Sequence, residues 1–253
     1  MKGLRPEERL IVALDVDSVE QASALVKKLV PLGVKYFKIG MYLYTLAGPA
    51  AVEAVHQNGG QVFLDLKFHD IPNTVGNAVR AAVRLGVWMV NVHIQGGSAM
   101  MRAALAAARE EAKKSGKKAP LLIGVTVLTS MSEKELMDLG LRKTLKDQVL
   151  YLAKLAKEIG LDGIVASAQE AKVVRWASGD EFLIVTPGIR AVPKEDNLIA
   201  AATGQKKDDQ QRTAGPLEAV QAGADYLVVG RPILEAPDPS SVVGSMLEEI
   251  ARA

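Results

Sequence analysis

Eight short apolar, β-favouring runs recur along the chain with helix-like segments between them, and this alternation restricts the fold more than any other feature. The runs are Leu10–Leu14, Tyr36–Ile39, Val62–Leu66, Met89–Val92, Leu122–Val127, Gly163–Ala166, Leu183–Thr186 and Tyr226–Val229. Amphipathic stretches such as Val19–Leu32, Thr74–Leu85, Ala99–Lys114, Leu145–Ile159 and Pro216–Ala222 separate them. Gly33, Gly86, Gly160 and Gly223 stand shortly before a following strand, where glycine can take the left-handed conformation that stops a helix. Strands linked by helical crossovers must pair in parallel. Eight such units in 253 residues predict an α/β fold, a single (β/α)8 TIM barrel with eight parallel strands. An open, doubly wound sheet is the competitor, weakened because no Gly-x-Gly-x-x-Gly follows the first run. No linker rich in Pro, Gly or Ser divides residues 1–253, so one domain is expected. The longest irregular stretch, 188–215, exceeds the roughly 12–15 residues usual for a plain loop and is expected to be an active-site lid.

Composition removes several classes of function. A net charge of +2, no Lys/Arg block longer than two residues and 4% aromatics argue against a nucleic-acid surface. The absence of cysteine excludes thiolate metal sites and Cys nucleophiles. His56, His69 and His93 are scattered, with no HExxH or similar metal spacing. No window of about 18 apolar residues suggests a membrane span, and the N-terminus lacks an apolar leader, so a cytoplasmic protein without membrane contact is expected.

The chemistry sits at the strand ends. In VFLDLKFHD, residues 62–70, an apolar strand carries Asp65-x-Lys67-x-x-Asp70. Burying charge is costly unless it is paired, so the bland reading is a structural ion pair. Alternation along an extended strand would point Asp65 and Lys67 to one side. The other strand ends favour a site, since in a barrel they converge on one mouth. Asp15 follows the first run, Lys38 lies in the second, Thr126 and Thr129 end the fifth, and Ser167 follows the sixth. The seventh runs into Pro187-Gly188-Ile189-Arg190 and the eighth into Gly230-Arg231, where a phosphate could be held by backbone N–H groups and two permanent cations. His93 reads as a hydrogen-bonded core residue, His69 as packing or hydrogen bonding and His56 as surface. Met100 and Met101 read as helix packing, and Lys113, Lys114, Lys117 and Lys118 as a solvated helix end and turn.

These segments together carry a family resemblance. KYFKIGMYLY, FLDLKFHDIPNTV, GVTVLTSM, VTPGIR and VVGRPI, in that order across essentially the whole chain, closely resemble the orotidine 5′-phosphate decarboxylase family. The resemblance implies a homodimeric barrel that converts orotidine 5′-monophosphate to UMP and CO2 in pyrimidine biosynthesis without cofactor or metal. It implies that Lys38, Asp65 and Lys67 form a charged array completed by Asp70 of the partner subunit, with Lys67 as proton donor to C6 of the pyrimidine. Asp15 and Lys38 would hold ribose hydroxyls, and Ile71 and Thr74 would reach the neighbouring site. Thr129 would contact the pyrimidine, and Pro187, Arg190, Gly230 and Arg231 would line the phosphate end. Gln210, with Gln211 as the alternative, would join lid to ligand.

Two other readings stand beside this one. A Mg2+-dependent phosphosugar decarboxylase or aldolase of the same superfamily shares Asp-x-Lys-x-x-Asp but needs an acidic metal ligand on the second strand, where this chain has Lys38. A non-catalytic barrel would bind a phosphorylated nucleotide without turnover.

Overall fold

Strands covered on both faces need apolar side chains at nearly every position, and this chain supplies them. The computed structural model describes residues 3–190 and 212–253. Most of the expected lid, with Gln210 and Gln211, lies outside the described residues. The strands are β1 (Leu10–Ala13), β2 (Tyr36–Gly40), β3 (Gln61–Phe68), β4 (Met89–His93), β5 (Leu121–Val125), β6 (Gly163–Val165), β7 (Leu183–Thr186) and β8 (Tyr226–Val229). Every residue of β1, β7 and β8 is buried. All neighbouring strands pair in parallel, and β1 pairs with β8, closing the eight-stranded barrel in sequence order. The fold is therefore the predicted (β/α)8 barrel, and the open-sheet alternative is set aside.

The helices are α1 (Pro6–Arg9), α2 (Val19–Leu29), α3 (Met41–Ala47), α4 (Pro49–Gln57), α5 (Pro72–Leu85) and α6 (Gly97–Ser115). They continue with α7 (Glu133–Asp138), α8 (Leu145–Ile159), α9 (Ala168–Ser178), α10 (Pro216–Gln221), α11 (Arg231–Leu234) and α12 (Pro239–Ala251). Their starts are chemically marked: the side chains of Ser18, Ser132, Thr144 and Asp238 accept backbone N–H bonds at helix entrances. The four glycines expected as stop signals have φ of 92, 75, 94 and 103° at Gly33, Gly86, Gly160 and Gly223. Met100 and Met101 are fully buried against the barrel, while Lys113, Lys114, Lys117 and Lys118 are exposed, as expected.

The interior of the barrel is apolar at its N-terminal end. Ile11, Tyr36, Phe63, Met89, Ile123, Leu183, Tyr226 and Val228 pack there as one cluster, with Leu4 and Trp88 against it. Tyr36 stacks on Trp88 at 3.8 Å between ring centroids, and Tyr226 meets Trp88 edge-on at 5.2 Å. This aromatic plug seals the bottom of the barrel and leaves the C-terminal end as the place for a cavity.

Candidate active site

The period of two along a strand carries the interior from apolar to charged in one step. Two residues beyond Tyr36, Phe63 and Met89 come Lys38, Asp65 and Asn91. On the first strand, Asp15 lies two residues beyond Ala13. All four polar residues line one cavity of about 630 Å³ at the C-terminal mouth, with Lys67, Thr129, Pro187, Gly188, Arg190, Gly230 and Arg231 also in its wall. Leu128, Val127, Val165 and Val185 give it an apolar side. Cations thus stand at both parts of the cavity: two lysines on β2 and β3, and two arginines, Arg190 after β7 and Arg231 at the start of α11.

The floor is an alternating string of charges. Lys38 Nζ lies 3.3 Å from Asp15 Oδ1 and 3.3 Å from Asp65 Oδ2. Lys67 Nζ donates to Asp65 Oδ1 at 2.7 Å. Burial alone would push the Asp65 carboxyl up. The charges of Lys38 and Lys67, with hydrogen bonds from Lys67 and Asn91, outweigh it and hold Asp65 below the usual carboxylate range. Burial likewise opposes the charge on Lys38, but Asp65 and Asp15 overcome it and raise the ammonium above its ordinary value. Space here is tight: a side-chain carbon at Gly40 would come within 2.9 Å of Lys38 Nζ and 3.1 Å of Asp15 Oδ1.

Asp65 and Lys67 meet, but not by the simple alternation that the sequence suggested. Lys67 has φ of 51°, the left-handed region, and is the one non-glycine residue there among the described residues. The β3–β4 register moves from Leu64↔Val90 to Phe68↔Val92, so four steps on β3 oppose two on β4. A bulge of this kind re-aims side chains, and it turns the Lys67 ammonium back onto Asp65. Asn91 spans the irregularity: its Oδ1 accepts the Lys67 backbone N–H at 2.8 Å and its Nδ2 donates to Asp65 Oδ1 at 2.7 Å. The sequence reading omitted Asn91. Its signal was a polar residue at the inward-facing position between Val90 and Val92, in the buried and otherwise apolar part of β4.

Other expected residues fall elsewhere. Asp70, Ile71 and Thr74 are exposed and absent from the cavity wall, and Asp70 Oδ1 accepts the Ile71 N–H at 2.6 Å. His93 corrects the expectation of a hydrogen-bonded core residue: its buried Nδ1 has no partner among the described residues. The His69 ring packs beside it at 5.3 Å. Burial, then the charges of His69 and Lys67, lower His93 to about 4. His56 is exposed. Ser167 closes a capping box with Glu170 rather than facing the cavity, and Glu170 Oε1 accepts from Arg212 Nη1 at 2.7 Å. Arg212 also donates to the carbonyls of Leu128 and Thr129, tying the start of the 212–215 segment to the loop that carries Thr129.

Comparison with known proteins places the chain. A family model described as "Orotidine 5'-phosphate decarboxylase / HUMPS family" matches residues 8–246. The chain belongs to this family. Orotidine 5′-phosphate decarboxylase of Moorella thermoacetica is 48% identical over 251 residues, covering 99% of this chain and 95% of the relative. That of Vibrio vulnificus is 50% identical over 237 residues, covering 94% and 95%. The crystal structure of orotidine 5′-phosphate decarboxylase from Lactobacillus acidophilus superposes with a TM-score of 0.79 at 37% identity, covering 95% of this chain and 98% of that one. Membership of the orotidine 5′-phosphate decarboxylase / HUMPS family thus agrees with the closed barrel and the resemblance of its strand-end motifs. No described helix is long and apolar enough to cross a membrane.

Proposed function

We propose that this chain decarboxylates orotidine 5′-monophosphate to UMP and CO2, acting as a cytoplasmic homodimer of one-domain barrels. One observation carries the reading: the Asp15–Lys38–Asp65–Lys67 string lies in the same cavity as Arg190 and Arg231. A phosphorylated nucleotide fits such a site, with its phosphate at the arginines and its reacting carbon at the lysine. Breaking the C6–carboxylate bond leaves the electron pair on C6, which has no conjugated sink. Lys67, ion-paired with Asp65, puts positive charge where negative charge develops and gives its proton to C6 as CO2 departs. Asp15 and Lys38 hold ribose hydroxyls, and Thr129 meets the pyrimidine. Pro187, Arg190, Gly230 and Arg231 take the phosphate, whose remote binding energy helps to organise the reacting end. Gln210 is assigned to the ligand by resemblance, within the segment 188–215 read as a lid.

The exposed position of Asp70, Ile71 and Thr74 supports their service to a neighbouring subunit's site rather than their own. The position of Lys38 supports this reading over the metal-dependent one, because its ammonium stands between Asp15 and Asp65, where a cation would otherwise be drawn. Ultraviolet absorbance after adding orotidine 5′-monophosphate to EDTA-treated protein tests the proposal. Conversion to UMP is expected. UMP binding without conversion favours the non-catalytic barrel, and activity that returns only with Mg2+ and a phosphosugar favours the sister enzymes.

A further inference from the structure

We infer that Asn91 is a positioning residue for the charged array, one side chain that holds the backbone of Lys67 and the carboxylate of Asp65 together. This rests on the proposed reading of the site. Asn91 is 1% exposed and both ends of its amide are used. The partners fix its orientation, since a backbone N–H needs the amide oxygen and a carboxylate needs the amide nitrogen. Lys67 occupies a conformation that costs a non-glycine residue energy and persists only when its surroundings over-determine it. The register shift takes this part of β3 off the regular ladder, and the Asn91 oxygen receives the Lys67 N–H instead. The same Asp65 Oδ1 that accepts from Asn91 also accepts from Lys67 Nζ. Backbone, carboxylate and ammonium therefore form a closed loop through one amide, which sets where the Lys67 proton points.

A satisfied core asparagine with no further role would make the same two bonds, so the test must separate the two. The charged groups around position 91 are Asp65 and Lys67 on β3, Lys38 on β2, Asp15 after β1 and His93 on β4. In Asn91→Asp the introduced carboxyl, when protonated, offers one acceptor and one donor and can remake both bonds. When ionised it cannot donate, and it sets a negative charge against Asp65. Turnover of orotidine 5′-monophosphate is measured against pH for wild type, Asn91→Ala and Asn91→Asp, with UMP affinity alongside.

Asn91→Ala should lose roughly 10–100-fold in kcat with UMP affinity within about twofold of wild type, as for supporting residues of other sites. Asn91→Asp should lose a similar factor at alkaline pH and recover relative to wild type as pH falls. Wild-type kcat in Asn91→Ala, or equal pH-independent losses in both variants, overturns the inference while leaving the decarboxylase reading intact. If wild type itself shows no turnover, that reading fails separately. A crystal structure of Asn91→Ala then decides the inference: Lys67 leaving the left-handed region supports it, and an unchanged Lys67 and Asp65 overturn it.

Discussion

The Asp65 carboxylate receives the Lys67 ammonium at 2.7 Å although the strand between them is bulged and Lys67 is left-handed. The contact is built by an irregularity, and the irregularity has a measurable cost. Lys67→Ala and Lys67→Gly should both reduce kcat by at least about a thousandfold, with UMP binding and fold retained. The glycine variant should nonetheless be the more stable of the two by about 1 kcal/mol, because φ of 51° strains alanine and not glycine. Urea unfolding of the pair checks this, and near-wild-type kcat in either variant would sink the proton-donor assignment.

Asp70 offers a test of subunit sharing. Homodimers of Asp70→Ala and of Lys67→Ala should each be inactive. After subunit exchange, half of the dimers are mixed and each mixed dimer has one intact site, so about a quarter of wild-type activity should return. Exchange proven by mass spectrometry without recovery would put Asp70 in its own chain's site.

Arg231 should matter for the phosphate alone. Arg231→Ala is expected to weaken UMP binding by roughly 10–100-fold, the range of a lost charge-assisted contact, and to leave uridine binding unchanged. Calorimetry with both ligands reads the difference. Equal losses for uridine and UMP would place Arg231 elsewhere in the recognition.

His93 should make the fold sensitive to mild acid. Its ordinary value is 6.5 and the folded protein lowers it to about 4, so between these the unfolded chain binds a proton that the native one does not. Stability therefore falls as pH drops from 6.5 towards 4, by on the order of 2 kcal/mol after discounting for partial exposure. Asp65 acts in the same direction at lower pH: its folded value is depressed, so its contribution is lost as pH falls through that value. Urea denaturation at pH 7 and pH 4.5 should show a smaller drop for His93→Gln than for wild type. An identical drop would remove His93 from the account.

The buried pair Arg212–Glu170 should show strong coupling. Side-chain exposures of 9% and 6% mean that removing either partner strands a charge, at a cost of about 3–5 kcal/mol. Arg212→Leu and Glu170→Leu should each be severely destabilised, and the double variant less so than the sum. Additive losses in a thermal or urea unfolding cycle would show that the pair is not the stabilising unit.

The barrel was legible because its signal is repetitive and local: β7, β8 and α8 match their sequence boundaries, and each strand announces itself by apolar residues. The stretches α3, α4, α7 and α9 were not among the named segments, and their order depends on packing against the barrel as much as on their own pattern. At the site, Lys38, Asp65, Lys67, Arg190 and Arg231 were legible because charge on a buried strand end is conspicuous. The means by which Asp65 meets Lys67 was not, because a period-two argument assumes a regular strand and the bulge arises only on pairing with β4. Asn91 was missed because a neutral amide raises no alarm in a sequence, and Arg212 because its partner lies on α9, 42 residues away.

The aromatic plug of Tyr36, Trp88 and Tyr226 turns the barrel into a blind alley. In the proposed reaction, a proton given up by Lys67 has no route of replacement from below among the described residues. On that reading the lysine is recharged through the same mouth that admits substrate and releases product. Renewal of the proton and release of the product would then share one passage.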